Sequence, residues 1–306
     1  MPYVKAKDGV DIYYEVFGEG APFLFLSETA CDGAVWKIYQ VSEFARDHRV
    51  VIFDYRGTGL SGKPSAKYST DTFASDAAAV LDQLGLEGAV VCGHSMGGRV
   101  AQLLALNYPR KVSKLILASS GAAHPGERGI PLRIAKEMVE MGYEKYVRDH
   151  TVVVGWTESY ARQHMDLIEN YLKVRMANLC PVEFYFRHVL ARQEHDTSGR
   201  LKEIKVPTLI LVGDNDHFVV SDMSHRAGAD ILAKGVPDSK LVVLPGERHS
   251  YFFSEPEKVH GIHTLMKLFQ SIRDGHCATY ANHRITFGSR RREASHEIRA
   301  AWPRSH

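Results

Sequence analysis

Gly93-His94-Ser95-Met96-Gly97-Gly98 follows the apolar run Ala89-Val90-Val91-Cys92 and precedes Arg99-Val100-Ala101-Gln102-Leu103-Leu104-Ala105-Leu106, whose composition and spacing are helical. A Gly-x-Ser-x-Gly between a strand and a helix reads as a turn so sharp that the backbone of its central serine is strained. Side chains two positions either side of Ser95 would collide with neighbouring backbone, which accounts for Gly93 and Gly97. The turn holds the Ser95 hydroxyl clear of the sheet. It also sets the Met96 amide at a helix N-terminus, where a developing oxyanion is stabilised.

Upstream, Tyr3-Val4-Lys5-Ala6 and Ile12-Tyr13-Tyr14-Glu15-Val16 read as a hairpin about Asp8-Gly9. Phe23-Leu24-Phe25-Leu26 and Arg49-Val50-Val51-Ile52-Phe53 read as buried strands. A helix is expected from Trp36 to Arg46, and a second, capped by Asp71, to about Gly85. Downstream, the helix over 96–108 is stopped by Pro109, and a strand follows over 114–121. Residues 122–202 break the alternation: apolar side chains at helical spacing predict about four helices inserted after the sixth strand. Strand and helix resume at Val206–Gly213, near 223–234 and at Lys240–Leu244, and a last helix is expected over 257–273.

This organisation resembles the α/β-hydrolase fold with a helical cap, over roughly residues 3–273. Asp54-Tyr55-Arg56-Gly57-Thr58-Gly59-Leu60-Ser61 is similar to a signature of that family, read here as structural, Asp54 and Arg56 tying a tight turn. The resemblance implies a mostly parallel eight-stranded sheet flanked by helices. The core would be 1–121 with 203–274, the cap 122–202, and 275–306 a basic extension. It implies a nucleophile at Ser95, with the Met96 amide in the oxyanion hole. The general base after the final strand falls on His249, in Pro245-Gly246-Glu247-Arg248-His249-Ser250. The triad acid, at the end of a Gly-x-x-Asp after the preceding strand, falls on Asp216, with Asp214 as runner-up and His217 an ordinary loop histidine. Where relatives open the oxyanion loop with His-Gly, this chain has Ser27-Glu28-Thr29, similar to the Ser-x-Ser of 3-oxoadipate enol-lactonases, so the second amide is placed at Thr29.

The chemistry that follows is attack of Ser95 on an ester or lactone carbonyl, an acyl-enzyme, and its release by water. Serine at the elbow argues against the haloalkane dehalogenases and epoxide hydrolases of the fold, which use aspartate. A C–C bond hydrolase of ring-cleavage products and a slow-turnover ligand sensor stand as alternatives. The partner expected is a small, apolar or aromatic molecule, with no cofactor and no metal. Trp156, at a break between helical segments, is the expected pocket residue. Arg187 and Arg192 could anchor a substrate carboxylate but read better as surface charges.

The 306 residues are 44% hydrophobic and 24% charged with a formal charge of +2, which names no polyanionic partner. The segment 275–306 carries six arginines against two glutamates. One short arginine cluster is ordinarily a solvated segment, so no nucleic-acid partner is expected, and a homo-oligomer is left open. Four widely spaced cysteines without a Cys-x-x-Cys, no basic start followed by an apolar run and no membrane-length apolar stretch lead to the expectation of a cytoplasmic protein without membrane contact.

Overall fold

The computed structural model describes residues 2–123, 130–217, 224–254, 276–281 and 284–289. Eight strands form one sheet: β1 Tyr3–Lys5, β2 Asp11–Phe17, β3 Ala21–Leu26, β4 His48–Phe53, β5 Ala89–His94, β6 Val112–Ala118, β7 Thr208–Gly213 and β8 Ser239–Leu244. Their order is β1-β2-β4-β3-β5-β6-β7-β8. β1 and β2 pair antiparallel, as do β2 and β4, and every later pairing is parallel. All six residues of β5 and of β7 are buried, as a strand covered on both faces requires. The helices alternating with them are α1 Gln40–Phe44, α2 Thr70–Gln83, α3 Met96–Asn107 and α9 His225–Gly235.

Local chemistry shifts two expected boundaries. The Trp36–Arg46 helix is divided: a 3-10 turn covers Gly33–Lys37, Tyr39 leaves helical backbone with φ −138°, and α1 begins at Gln40. The cap of α2 is Ser69 rather than Asp71, because the Ser69 hydroxyl accepts the Thr72 amide at 3.0 Å while Asp71 lies inside the first turn.

Between β6 and β7 the chain forms five helices rather than about four: α4 Ile130–Met141, α5 Tyr143–Gly155, α6 Glu158–Gln163, α7 Met165–Ala177 and α8 Val182–Gln193. The additional element is α6, closed off from its neighbours by Thr157 and His164. Ile134, Met138, Tyr146, Val147, Tyr185 and Val189 pack together with Ala30, so the insertion buries its apolar face partly against the loop after β3. Cys31, Cys92 and Cys180 are buried free thiols. Among the described residues no helix is long and apolar enough to cross a membrane.

The chain divides into two compact units, 1–256 and 257–306. In the second, β9 His276–Ala281 and β10 Arg284–Ser289 form an antiparallel hairpin. The helix expected over 257–273 lies outside the described residues, as do the arginines beyond 289.

Candidate active site

The parallel strands β3, β5, β7 and β8 deliver their C-terminal ends to one edge of the sheet. At the end of β5 the backbone reverses through Ser95, which has φ 56° and ψ −115°, and α3 starts at the next residue. Such a conformation is costly for any side chain but glycine, and it persists because the surroundings fix it. The Ser95 amide donates to Ala118 O at 2.9 Å, and Ser120 Oγ donates to Ser95 O at 2.8 Å. A Cβ on Gly93 would lie 2.2 Å from Gly97 O, and one on Gly97 2.2 Å from Leu26 O. Both glycines are therefore demanded by close backbone approach, and the second presses the elbow against the end of β3. Met96, first residue of α3, has an amide with no partner inside the helix.

After β7 the chain places Asp216 in complete burial, while Asp214 accepts the Gly246 amide at 2.7 Å in an exposed turn. Asp216 is the carboxylate that meets an imidazole. His249 Nδ1 lies 3.1 Å from its Oδ1 and 3.2 Å from its Oδ2. A second imidazole, unforeseen from sequence, reaches the same group: His225 Nδ1 is 2.8 Å from Asp216 Oδ1. Both rings donate an Nδ1–H to the ionised acid, so neutral His249 carries its lone pair on Nε2. Burial alone would raise the Asp216 pKa, but the two imidazoles outweigh it and hold the acid well below the carboxylate range. Burial would lower the His249 pKa, and the Asp216 charge and hydrogen bond more than offset it, leaving it raised. For His225 burial wins and its pKa falls to about 4, so it is a neutral donor near pH 7. The ligating atoms of Asp216, His225 and His249 lie within 4.8 Å of one another, close enough to hold a metal ion. In this arrangement the two Nδ1 atoms and the carboxylate are engaged with one another.

The elbow and the His249 loop are joined by His94, the residue before Ser95. Its Nε2 donates to His249 O at 2.9 Å, and the two rings lie 4.7 Å apart. Burial brings its pKa to about 4, so this link is uncharged.

The loop after β3 is pinned from both sides. Ser27 Oγ donates to Asp32 O and accepts Trp36 Nε1, each at 3.0 Å. Glu28 Oε1 accepts Arg175 Nη1 at 2.5 Å and Tyr171 Oη at 2.6 Å. Burial opposes its charge, but Arg175 prevails and its pKa drops to about 2. Ala30, in left-handed backbone at φ 54°, donates its amide to His188 Nδ1 at 3.3 Å. That bond fixes the tautomer of His188, whose Nε2–H donates to Arg56 O at 2.9 Å. One turn further along α8, Arg192 Nη1 donates to Thr29 Oγ1 at 3.3 Å. Arg192 is thus half-buried rather than a free surface charge, and among the described residues its Nε is enclosed and without a partner. Arg187 does lie at the surface, paired with Glu183 at 2.7 Å.

Trp156 is buried at the break between α5 and α6, edge-on to Tyr171 with ring centres 5.5 Å apart, and its Nε1 has no partner among the described residues. Its carbonyl accepts Arg248 Nη1 at 3.3 Å, one residue from His249. The signature turn is structural. Asp54 accepts the Gly33 and Leu60 amides at 2.9 and 2.8 Å. The Arg56 guanidinium binds the carboxylates of Asp76 and Asp8 rather than turn carbonyls.

Glu28, His94, His188 and His225 were not read from the sequence as parts of the site. Glu28 carries one signal, a charged residue two positions after a fully apolar run. The three histidines carried none among sixteen.

The eight-stranded sheet, the glycine-framed Ser95 turn and the buried carboxylate–imidazole pair at the strand ends define a hydrolase scaffold. The chain belongs to the α/β hydrolase fold family, whose model matches residues 29–256. It is 28% identical over 258 residues to a putative carbamate hydrolase, RutD, of Azorhizobium caulinodans, covering 84% of this chain and 94% of that protein. Among solved structures it is similar to a thermophilic esterase from Thermogutta terrifontis, with a TM-score of 0.75, 26% identity, and 87% of this chain and 98% of the other covered. It is likewise similar to Est816, described as an N-acyl homoserine lactone degrading enzyme, with a TM-score of 0.70, 28% identity, and 86% and 99% covered.

Proposed function

We propose that the protein is a serine hydrolase that cleaves carboxylic esters or lactones of small molecules through an acyl-enzyme. The observation that carries this reading is the Asp216–His249 hydrogen bond, which leaves His249 Nε2 as a base on the loop that His94 ties to the Ser95 elbow. Ser95 Oγ attacks the carbonyl carbon as His249 Nε2 takes its proton. The tetrahedral oxyanion is received by the Met96 and Thr29 amides; one such donor is worth about 10²–10³ in rate. His249 returns the proton to the leaving alcohol, and water, deprotonated by the same imidazole, releases the acid. Asp216 stabilises the imidazolium at each stage.

The relatives support this reading at the level of reaction type, since carbamates, esters and lactones are all cleaved by acyl transfer to water. The inserted helices act as the cap, with Trp156 as part of the pocket wall.

Steady-state hydrolysis of p-nitrophenyl esters of increasing acyl length, beside simple lactones, tests the assignment, with Ser95→Ala as control. Multiple turnover abolished by Ser95→Ala is expected. Folded wild-type protein that turns over no ester or lactone sinks the reading, in favour of C–C substrates or ligand sensing.

A further inference from the structure

Arg192 is a half-buried guanidinium set against the oxyanion loop, and among the described residues no carboxylate is hydrogen-bonded to it. A guanidinium stays charged in a protein, and a cation partly withdrawn from water without a direct carboxylate partner is costly. Among the described residues the guanidinium makes one hydrogen bond, the 3.3 Å contact to Thr29 Oγ1, and its Nε is buried without a partner. The acid of the same loop, Glu28, is already engaged by Arg175 and Tyr171. The favourable electrostatic neighbours of Arg192 are the hydroxyls of Tyr185 and Tyr146 and then Glu28, whose charge is shared with Arg175, and its carbonyl accepts a buried guanidinium, Arg99 Nη1, at 2.9 Å. Arg99 stands four residues after Ser95, on the helix that the elbow starts. Two arginines therefore crowd one side of the site, and the Arg192 charge acts on His249 as well.

We infer that Arg192, backed by Arg99, is an anion subsite for a carboxylate carried by the substrate, beside the reacting carbonyl. The preferred substrates are then esters or lactones of acids bearing a second carboxylate. This rests on the hydrolase reading for the reaction, but the anion subsite itself does not. A substrate carboxylate supplies the charge that the protein withholds, through charge-assisted hydrogen bonds.

The experiment has a kinetic arm and a binding arm. In the first, mono-4-nitrophenyl adipate and 4-nitrophenyl methyl adipate, which differ in one charge, are compared by nitrophenol release. Wild type should prefer the acid by about tenfold or more in kcat/KM, and Arg192→Gln should lower that ratio about 10–100-fold, with Arg192→Lys between them. In the second, calorimetry measures adipate, glutarate and succinate against their diamides. Wild type should bind at least one dianion and none of the diamides comparably, and Arg192→Gln should lose the dianion at least about tenfold. Neutral-ester turnover with no preference for the acid, and no dianion binding, overturns the anion subsite and leaves the hydrolase reading standing. No ester turnover, with dianion binding lost in Arg192→Gln, upholds the subsite and overturns the hydrolase reading. The wild-type comparisons need no variant, so a poorly folded Arg192→Gln does not remove the test.

Discussion

His225 and His249 donate to one oxygen, Asp216 Oδ1, and His225 makes the shorter contact, 2.8 Å against 3.1 Å. A neutral donor on that oxygen draws charge from the carboxylate and so limits how far Asp216 can stabilise the His249 imidazolium. It also holds the carboxylate from a second side. Arg or Lys there would neutralise the acid, whereas an imidazole whose pKa is pushed down to about 4 tempers it without doing so.

Replacing His225 therefore has a pH signature. In His225→Ala the acid loses a donor, the His249 pKa rises further, and the acid limb of kcat/KM moves to higher pH by up to about one unit. Loss of the second anchor lowers kcat about tenfold. A pH–rate profile checks both, and an unmoved limb with lower kcat would reduce His225 to packing.

The wild-type limb itself has a fixed sign. The His249 pKa is raised above its usual 6.5, and in the proposed mechanism only the neutral ring accepts the Ser95 proton. Activity is expected to be full above that pKa and to fall tenfold per unit as pH drops below it, with a midpoint above 6.5. A midpoint well below 6.5 would contradict the Asp216 pairing.

The two acids after β7 should separate cleanly. Asp216→Asn should cut kcat by about 10⁴, since the imidazole loses both its tautomer and its countercharge. Asp214 binds an exposed turn amide, so Asp214→Asn should stay within about threefold. Both follow from steady-state rates on one ester.

Glu28 sets an acid limit on stability. Its pKa falls from 4.5 to about 2 on folding, so its contribution is fully present above about 4.5 and is lost as pH falls towards 2. The shift corresponds to about 3 kcal/mol. Glu28→Gln leaves Arg175 without its partner and should cost about 3 kcal/mol in denaturant unfolding at pH 7, while flattening the melting-temperature profile below pH 4.5.

The elbow was legible because its demands fall on adjacent residues. Glycines two positions either side of a serine, an apolar strand before and a helix after are all visible in one short window, and so were the sheet and its order of elements. The partners on the inserted helices were not. His188, Arg175 and Arg192 meet the β3 loop from more than 140 positions away, and no local period marks a side chain whose purpose is to touch another segment. His225 hid for the same reason, since nothing in a helix start announces a ring aimed at Asp216. Arg192 misled because an arginine near the end of an amphipathic helix ordinarily faces water.

His188 spans two parts of the core, taking the Ala30 amide on one nitrogen and giving a proton to Arg56 O on the other. Under the proposed function, substrate range and reaction machinery are thereby inherited together. A chimera that imports a foreign segment for residues 130–193 must bring an imidazole, or an equivalent acceptor–donor pair, to that spot. Otherwise the left-handed Ala30 loses its anchor, and the loop beside it drifts. New specificities are therefore reached more safely by point changes on the inserted helices than by exchanging them whole.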